Sequence, residues 1–336
     1  MTIKAAVIGA GVMGSNHLRT LKAIGEQKVI IAGVADPFET NRLRAMNQYS
    51  IHGYAHYEEL FDNEKPDCVI IATPTVLHFD TAVNAMQRGI HVLVEKPIAA
   101  TIEQASQLIE MAKKQNVLLT VGHVERFNPA VRELKRRLSA HELGSIFTIH
   151  TKRIGPFPAR INDVGVTLDL APHDLDIIKF VAGSSIQRLY AEPLQRIHRD
   201  HEDGLHVTLR MTNDILATME INWLTPTKVR ELRALGEHGM FVVNYLTQEL
   251  YFYENDAYPI DWEPLKAIKG VSEGTMTRLK VMHAEPLRLE LEHFIESVEQ
   301  NTPPEITGED GLWVLQTIND IFSSITMQQT VTPNHS

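Results

Sequence analysis

A strand, a glycine turn and a helix follow one another without a spacer at the start of this chain, and few folds accept that order. Ala5-Ala6-Val7-Ile8 is an apolar run with strand character. Gly9-Ala10-Gly11-Val12-Met13-Gly14 comes next, and a helical pattern continues to about Ile24, where Gly25 stops it. This is the G-x-G-x-x-G fingerprint in the strand-to-helix context that gives it meaning. Gly9 permits the tight turn, Gly11 lets the backbone approach a pyrophosphate, and Gly14 lets the helix pack close to the strand. The helix start at Val12 and Met13 offers unpaired N–H groups to phosphates.

The second half of the fingerprint is present as well. Val29-Ile30-Ile31-Ala32-Gly33-Val34-Ala35 reads as the next strand and ends in Asp36. An acidic residue ~20 positions beyond the glycines accepts hydrogen bonds from the adenosine ribose and repels a 2′-phosphate. The spacing therefore favours NAD over NADP. Arg42 and Arg44 are the reservation, since each stands where it could reach a phosphate, and a helix cap is the alternative use of Asp36.

Strand and helix go on alternating, which predicts a doubly wound parallel sheet. Asp67-Cys68-Val69-Ile70-Ile71-Ala72 is a buried strand closed by Thr73-Pro74, with His78 in the following helix. His91-Val92-Leu93-Val94 is another, and it runs directly into Glu95-Lys96-Pro97. Thr101 and Gln104 are spaced as a capping box for a helix over 102–115. The next strand ends at Gly122, followed by His123, Glu125 and Arg126. One polar strand end is commonplace. Three in a row mark a lined crevice, because open parallel sheets receive ligands at the carboxyl ends of their strands.

Composition bounds the partners. The 336 residues suit two domains, and the formal net charge of −10 argues against a nucleic-acid or anionic-membrane face. No apolar run reaches the ~20 residues that span a bilayer, and Met1-Thr2-Ile3-Lys4 leads straight into a strand without the regions of a signal peptide. The single cysteine, Cys68, lies in an apolar strand, reads as core filling and fits a reducing cytoplasm. No zinc spacing or acidic calcium loop is present, so no metal is expected.

Past Gly122 the rhythm changes, which puts a dinucleotide-binding domain at 1–122 and a second domain at 123–330, with a flexible tail at 331–336. Residues 129–138 form a basic amphipathic helix read as a solvated face. Residues 145–153 alternate like a half-exposed strand. A helix is predicted over 166–181. It carries Asp169 and His173 at i and i+4, on one face, with Pro172 inside the pattern as a distortion. Beyond Gly183 the candidate strands 186–197, 204–211, 215–223, 229–235, 240–245 and 249–253 make one large, mainly antiparallel sheet. Too few helices follow to cover both faces, so a homodimer or homotetramer packed through this sheet is expected. Sedimentation as a monomer at micromolar concentration would count against it. Helices over 286–300 and 308–327 are expected to pack back near the first domain.

With these residues in place, the chain resembles the glucose–fructose oxidoreductase and inositol dehydrogenase family over nearly its whole length. The matching stretches are Gly9 to Gly14 with His17, Ala72-Thr73-Pro74 with His78, Glu95-Lys96-Pro97, and Asp169-x-x-x-His173-x-x-Asp176. The resemblance implies an NAD(P)-binding Rossmann domain joined to an α/β domain with an open-faced sheet. It also implies hydride transfer at a sugar or cyclitol carbon, with Lys96, Asp169 and His173 in the active site. Val164-Gly165-Val166-Thr167 and Ala171 depart from the glycines usual in the family and are taken as subfamily differences.

The stretch Val121-Gly122-His123-Val124-Glu125-Arg126-Phe127-Asn128-Pro129-Ala130 narrows the likeness. With Arg153-Ile154-Gly155-Pro156 and Leu170-Ala171-Pro172-His173-Asp174, it is similar to UDP-N-acetylglucosamine 3-dehydrogenases. That similarity implies a 3-keto product passed to an aminotransferase for a 3-amino sugar of lipid A or another surface glycan.

For such a substrate His123, Arg126, Asn128, Arg153 and Arg160 are the candidate contacts, the arginines as diphosphate partners by charge and position. The cofactor contacts are Gly9, Gly11, Val12, Met13, Gly14, Asp36, Thr73, Pro74, His78, Glu95 and Lys96. His173, with an ordinary pKa of ~6.5, is preferred as base, and Lys96 as positioner and electrostatic support. Lys96 as the base is the alternative. Inositol or free-aldose oxidation is the runner-up substrate class, followed by an NAD-dependent glycosidase and a non-catalytic NAD-sensing protein.

Overall fold

The computed structural model describes residues 2–158, 164–255, 274–333 and 335. Two compact units divide the chain: Met1–Phe127 with Glu285–Gln316, and Asn128–Ala284 with Thr317–Ser336. The first unit therefore extends past Gly122 to Phe127 and takes in a C-terminal segment.

The first unit alternates β1 (Ile3–Ile8), α1 (Val12–Ile24), β2 (Val29–Ala35), α2 (Glu39–Tyr49), β3 (His52–Tyr54), α3 (Tyr57–Glu64) and β4 (Cys68–Ile71). It continues with α4 (His78–Gln87), β5 (His91–Val94), α5 (Ile102–Gln115) and β6 (Leu119–Val121). The strands pair in parallel in the order β3-β2-β1-β4-β5-β6. The order reverses between β1 and β4, which is where a doubly wound sheet opens its ligand crevice. The strands read as unbroken apolar runs because both faces are covered, and Cys68 is buried among them with its thiol pushed up by burial. A C-terminal helix, α9 (Pro286–Gln300), adds Leu291 and Phe294 to the same core as Val7 and Leu18. Burying a side chain of this size contributes about 1.5–3 kcal/mol.

The second unit holds α6 (Pro129–Ser139), β7 (Ile146–Ile154), α7 (Val166–Asp169), α8 (Ala171–Ala182), β8 (Ile186–Leu194), β9 (Gly204–Met211) and β10 (Leu216–Asn222). It continues with β11 (Val229–Gly236), β12 (Gly239–Asn244), β13 (Glu249–Glu254) and β14 (Met276–Leu279). The last helix, α10 (Gly308–Met327), begins in the residues of the first unit and ends in those of the second. The eight strands order as β14-β13-β12-β11-β7-β10-β9-β8. Neighbours are antiparallel except β7 and β10, which run parallel. Alternation is clean: Ile149, Met219 and Ala234 are buried, while their neighbours Thr148, His150, Thr218 and Arg233 are not. One face is thus core and the other half-exposed.

Three local expectations change. The helix expected over 166–181 breaks at Leu170, so Pro172 falls in the first turn of α8, where its missing N–H costs no helix bond. Thr101 caps α5 by accepting from the Gln104 N–H at 3.2 Å, but the Gln104 Oε1 has no hydrogen-bond partner among the described residues, so only half of the capping box forms. In the tail, Val331 is bridged to Leu189 in both directions, at 2.8 and 2.9 Å. Among the described residues, no helix is long and apolar enough to cross a membrane.

Candidate active site

In the first unit the glycine turn has the shape its residues predict. Gly9 has φ +93°, and a Cβ there would lie 2.5 Å from the Ala72 carbonyl oxygen, so it lets β1 and the end of β4 approach closely. A Cβ on Gly14 would fall 1.8 Å from the Gly9 oxygen. Gly11 is different: its Cβ position meets nothing within 4 Å, and Val12 and Met13 are exposed. The N-terminus of α1 is therefore open to a phosphate. Across the crevice, the Thr73 Oγ1 is buried and has no hydrogen-bond partner among the described residues. Bare backbone over an open helix start and an unsatisfied buried hydroxyl both fit a dinucleotide.

Asp36 is 5% exposed and already at work. One carboxylate oxygen accepts the Ala10 N–H at 2.7 Å and the other the Phe38 N–H at 2.8 Å. It ties the glycine turn to the end of β2, a use that spacing alone does not reveal. Arg42 donates to the Asp36 carbonyl at 2.8 Å, and Arg44 to the Ala10 carbonyl at 2.7 Å. Both arginines brace the turn.

His78, expected to touch cofactor, is 1% exposed, with Nδ1 2.9 Å from the Pro97 carbonyl and Nε2 2.9 Å from the Thr73 carbonyl. It joins the two strand-end loops that carry Thr73 and Lys96. Burial outweighs both carbonyls and holds its pKa below the ordinary histidine value. A neutral ring has one N–H and donates to one carbonyl at a time.

Glu95 and Lys96 follow β5 directly, and the Lys96–Pro97 peptide is cis. The Glu95 Oε1 is 2.7 Å from the Nε2 of His17, which is fully buried on α1. Burial pushes the Glu95 carboxyl up, but the His17 bond and charge, with Lys96, outweigh it and hold the group below the usual carboxylate range. The motif carried His17 without a role, and no local pattern announces its contact with a residue 78 positions away.

His123 is 2% exposed. Arg126 is also buried, with both terminal nitrogens 3.2 Å from the two oxygens of Asp310. In the second unit Asn128 caps α6, accepting the Ala130 N–H at 3.1 Å, and donates to the Tyr245 carbonyl at 3.1 Å. Arg153 grips Asp174 through two bonds of 3.0 and 3.1 Å, both side chains buried. Arg126 and Arg153, both offered to a diphosphate, are thus engaged by carboxylates, and Asn128 by backbone. Arg160 lies outside the described residues.

Asp169 ends α7 and His173 lies in the first turn of α8, both half-buried. Their helix starts are pinned by residues that sequence patterns do not single out. Glu202 accepts from α7 twice, its carbonyl from Val166 at 3.1 Å and its Oε1 from Thr167 at 3.0 Å. The adjacent Asp203 collects the N–H groups of Arg196, Ile197 and His198. Burial raises the Asp203 carboxyl, but these three bonds outweigh it and bring it below its ordinary value. Among the described residues, no group of His, Cys, Asp and Glu has the arrangement to hold a metal ion.

Two family models match. One, the oxidoreductase family with NAD-binding Rossmann fold, covers residues 3–123, and the other, the GFO/IDH/MocA C-terminal domain, covers 131–242. The UDP-N-acetylglucosamine 3-dehydrogenase of Acidithiobacillus ferrooxidans is 26% identical over 93% of this chain and 94% of its own length. The scyllo-inositol 2-dehydrogenase of Bacillus subtilis is 25% identical over 92% and 90%. A solved structure of the Acidithiobacillus enzyme superposes with a TM-score of 0.86 at 24% identity, covering 97% of this chain and 98% of that one, and shares the fold.

Proposed function

The chain belongs to the GFO/IDH/MocA oxidoreductase family, with NAD as its cofactor, and from that premise we propose that it oxidises the 3-hydroxyl of UDP-N-acetylglucosamine to a ketone. The observation that carries this reading is the 26% identity to the Acidithiobacillus enzyme across 94% of that enzyme's length. NAD, when bound, supplies the hydride acceptor. The chain's own residues handle the proton and the charge. His173 takes the hydroxyl proton, Lys96 stabilises negative charge developing on that oxygen, and Asp169 orients His173 or the sugar. Asp36 retains lone pairs for the ribose hydroxyls. With Arg126 and Arg153 engaged by carboxylates, Arg160 is the remaining candidate for the diphosphate. The product is a ketone on a nucleotide-linked amino sugar, the substrate class of an aminotransferase.

A second reading, oxidation of an inositol ring hydroxyl by the same residues, is favoured by the 25% identity to the Bacillus enzyme over 90% of its length. NADH formation from UDP-N-acetylglucosamine, other UDP-sugars, free sugars and inositols separates the two, with an aminotransferase present to draw off ketone. We expect NADH with UDP-N-acetylglucosamine, increased by the trap. NADH with inositols alone replaces this reading by the second. Lys96→Met and His173→Asn should bind NAD and lose turnover by roughly 10²- to 10⁴-fold. Near-normal turnover in both would overturn the assignment.

A further inference from the structure

His17 belongs to the helix whose start opens on the dinucleotide crevice, and it reaches across the sheet to the carboxylate beside Lys96. Three elements meet at that carboxylate. From α1, the His17 Nε2 lies 2.7 Å from Oε1. From β5, the Glu95 N–H donates to the Ile71 carbonyl at 2.9 Å and fixes the backbone of the turn. From the end of β6, Gly122 leaves room: a Cβ there would stand 3.0 Å from the Glu95 Oε2. The space of a Gly122 side chain is occupied by the carboxylate.

Which ring nitrogen of His17 carries a proton toward Glu95 follows from the surroundings. The His17 ring is 0% exposed, and its Nδ1 has no hydrogen-bond partner among the described residues. A proton on Nδ1 would be a buried donor without an acceptor, whereas a proton on Nε2 meets the carboxylate. A proton on Nε2 therefore anchors the Glu95 carboxylate. The Lys96 ammonium beside it favours the charged form of Glu95.

We propose that His17 and Glu95 are a positioning pair for the reaction: His17 anchors Glu95 as a fixed anion, and that anion holds the Lys96 side chain in place. Lys96 then serves as electrostatic support, and the hydroxyl proton goes to His173. The inference rests on the role given to Lys96 above.

The test uses the full-length enzyme with NAD and UDP-N-acetylglucosamine, and with myo-inositol in parallel. His17→Leu removes the donor and His17→Gln restores one; both residues suit a helix interior. We expect His17→Leu to lower kcat roughly 10- to 100-fold, as loss of a supporting hydrogen bond does elsewhere, with NAD affinity kept and kcat recovered in His17→Gln. Glu95→Gln should lower kcat by a similar factor. Turnover of His17→Leu within about two-fold of the parent, or His17→Gln no better than His17→Leu, would overturn the proposal.

Should His17→Leu not fold, the His17→Leu/Glu95→Gln double variant removes the buried charge along with its donor. Its kcat should match that of Glu95→Gln alone, and a kcat near the parent's would refute the pair. A readout free of any sugar keeps this separate from the substrate assignment. Reductive methylation of Lys96, followed by peptide mass spectrometry, should change rate several-fold in His17→Leu and return in His17→Gln. Equal rates in all three proteins would overturn the inference even if the substrate reading stands.

Discussion

Lys96 stands at the end of a strand held by parallel neighbours on both sides, whereas Asp169 and His173 stand at a break between two short helices. In the parallel unit the supporting bonds arrive from elements of one α/β layer: His17 on Glu95, His78 between two strand-end loops, Asp36 on the glycine turn. In the mixed-sheet unit a helix start has no ladder to fix it, and charged side chains take over. Arg153 of β7 holds Asp174 of α8, and Glu202 and Asp203 of one connection hold the start of α7 and their own loop. A sheet edge positions a residue through backbone order. A helix start must be pinned by side chains, and each pin is a point of failure.

Breaking the Arg153–Asp174 pair tests that difference most severely. The side chains are 6% and 2% exposed, so Arg153→Ala leaves a buried carboxylate without its guanidinium. Such a loss costs about 3–5 kcal/mol. Hydrogen exchange read peptide by peptide should show β7 and α8 losing protection while β1, β4 and β5 keep theirs. Arg153→Met with Asp174→Leu should recover much of the loss, since removing both charges lifts the desolvation penalty. Uniform loss across both units would show that the pair holds more than its own unit.

The same contrast decides what could be read in advance. The glycine turn, Asp36 and the three polar strand ends are local patterns, because a parallel strand must end at the crevice whatever its partners are. The role of Asp36 in tying Ala10 was hidden, since a spacing gives the place of a carboxylate and not its bonds. Arg126 and Arg153 looked available for a diphosphate because their partners, Asp310 and Asp174, lie 184 and 21 residues away. Likewise Asn128 reads as a substrate contact until Tyr245 arrives 117 residues later. Pro172 was placed inside one long helix because periodicity runs through the break at Leu170.

Acid offers a graded way to load the parallel unit. His78 has its pKa held by burial below the free value of 6.5, so the unfolded chain binds a proton that the folded one refuses. Its contribution is fully present above pH 6.5 and is lost as pH falls below it toward the folded value. Glu95 is depressed below 4.5 and loses its contribution only as pH falls beneath that. Stability should therefore decline first below pH 6.5, with His78 adding up to about 1.4 kcal/mol per pH unit while its binding differs by a full proton. His78→Gln should flatten that limb, read from urea midpoints on either side of pH 6.5, and leave the Glu95 window in place. An unchanged slope would mean that other groups carry the effect.

The smallest effect discriminates most finely, because it compares one device in both units. Thr101 caps α5 and Asn128 caps α6, each by accepting one N–H. Thr101 is exposed and bonds only within its own turn in this role, so Thr101→Ala should cost about 1 kcal/mol. Asn128 is 2% exposed and also donates to the Tyr245 carbonyl, 117 residues away in the chain. Asn128→Ala forfeits the cap and leaves a buried carbonyl without that N–H, for about 2–3 kcal/mol. Asn128→Asp separates the two parts, since it keeps the accepting oxygen and removes the donor. If the long-range bond is what distinguishes this unit, Asn128→Asp should fall well below Thr101→Ala in stability at neutral pH. Equal costs for all three variants would reduce both caps to local devices and remove Tyr245 from the account.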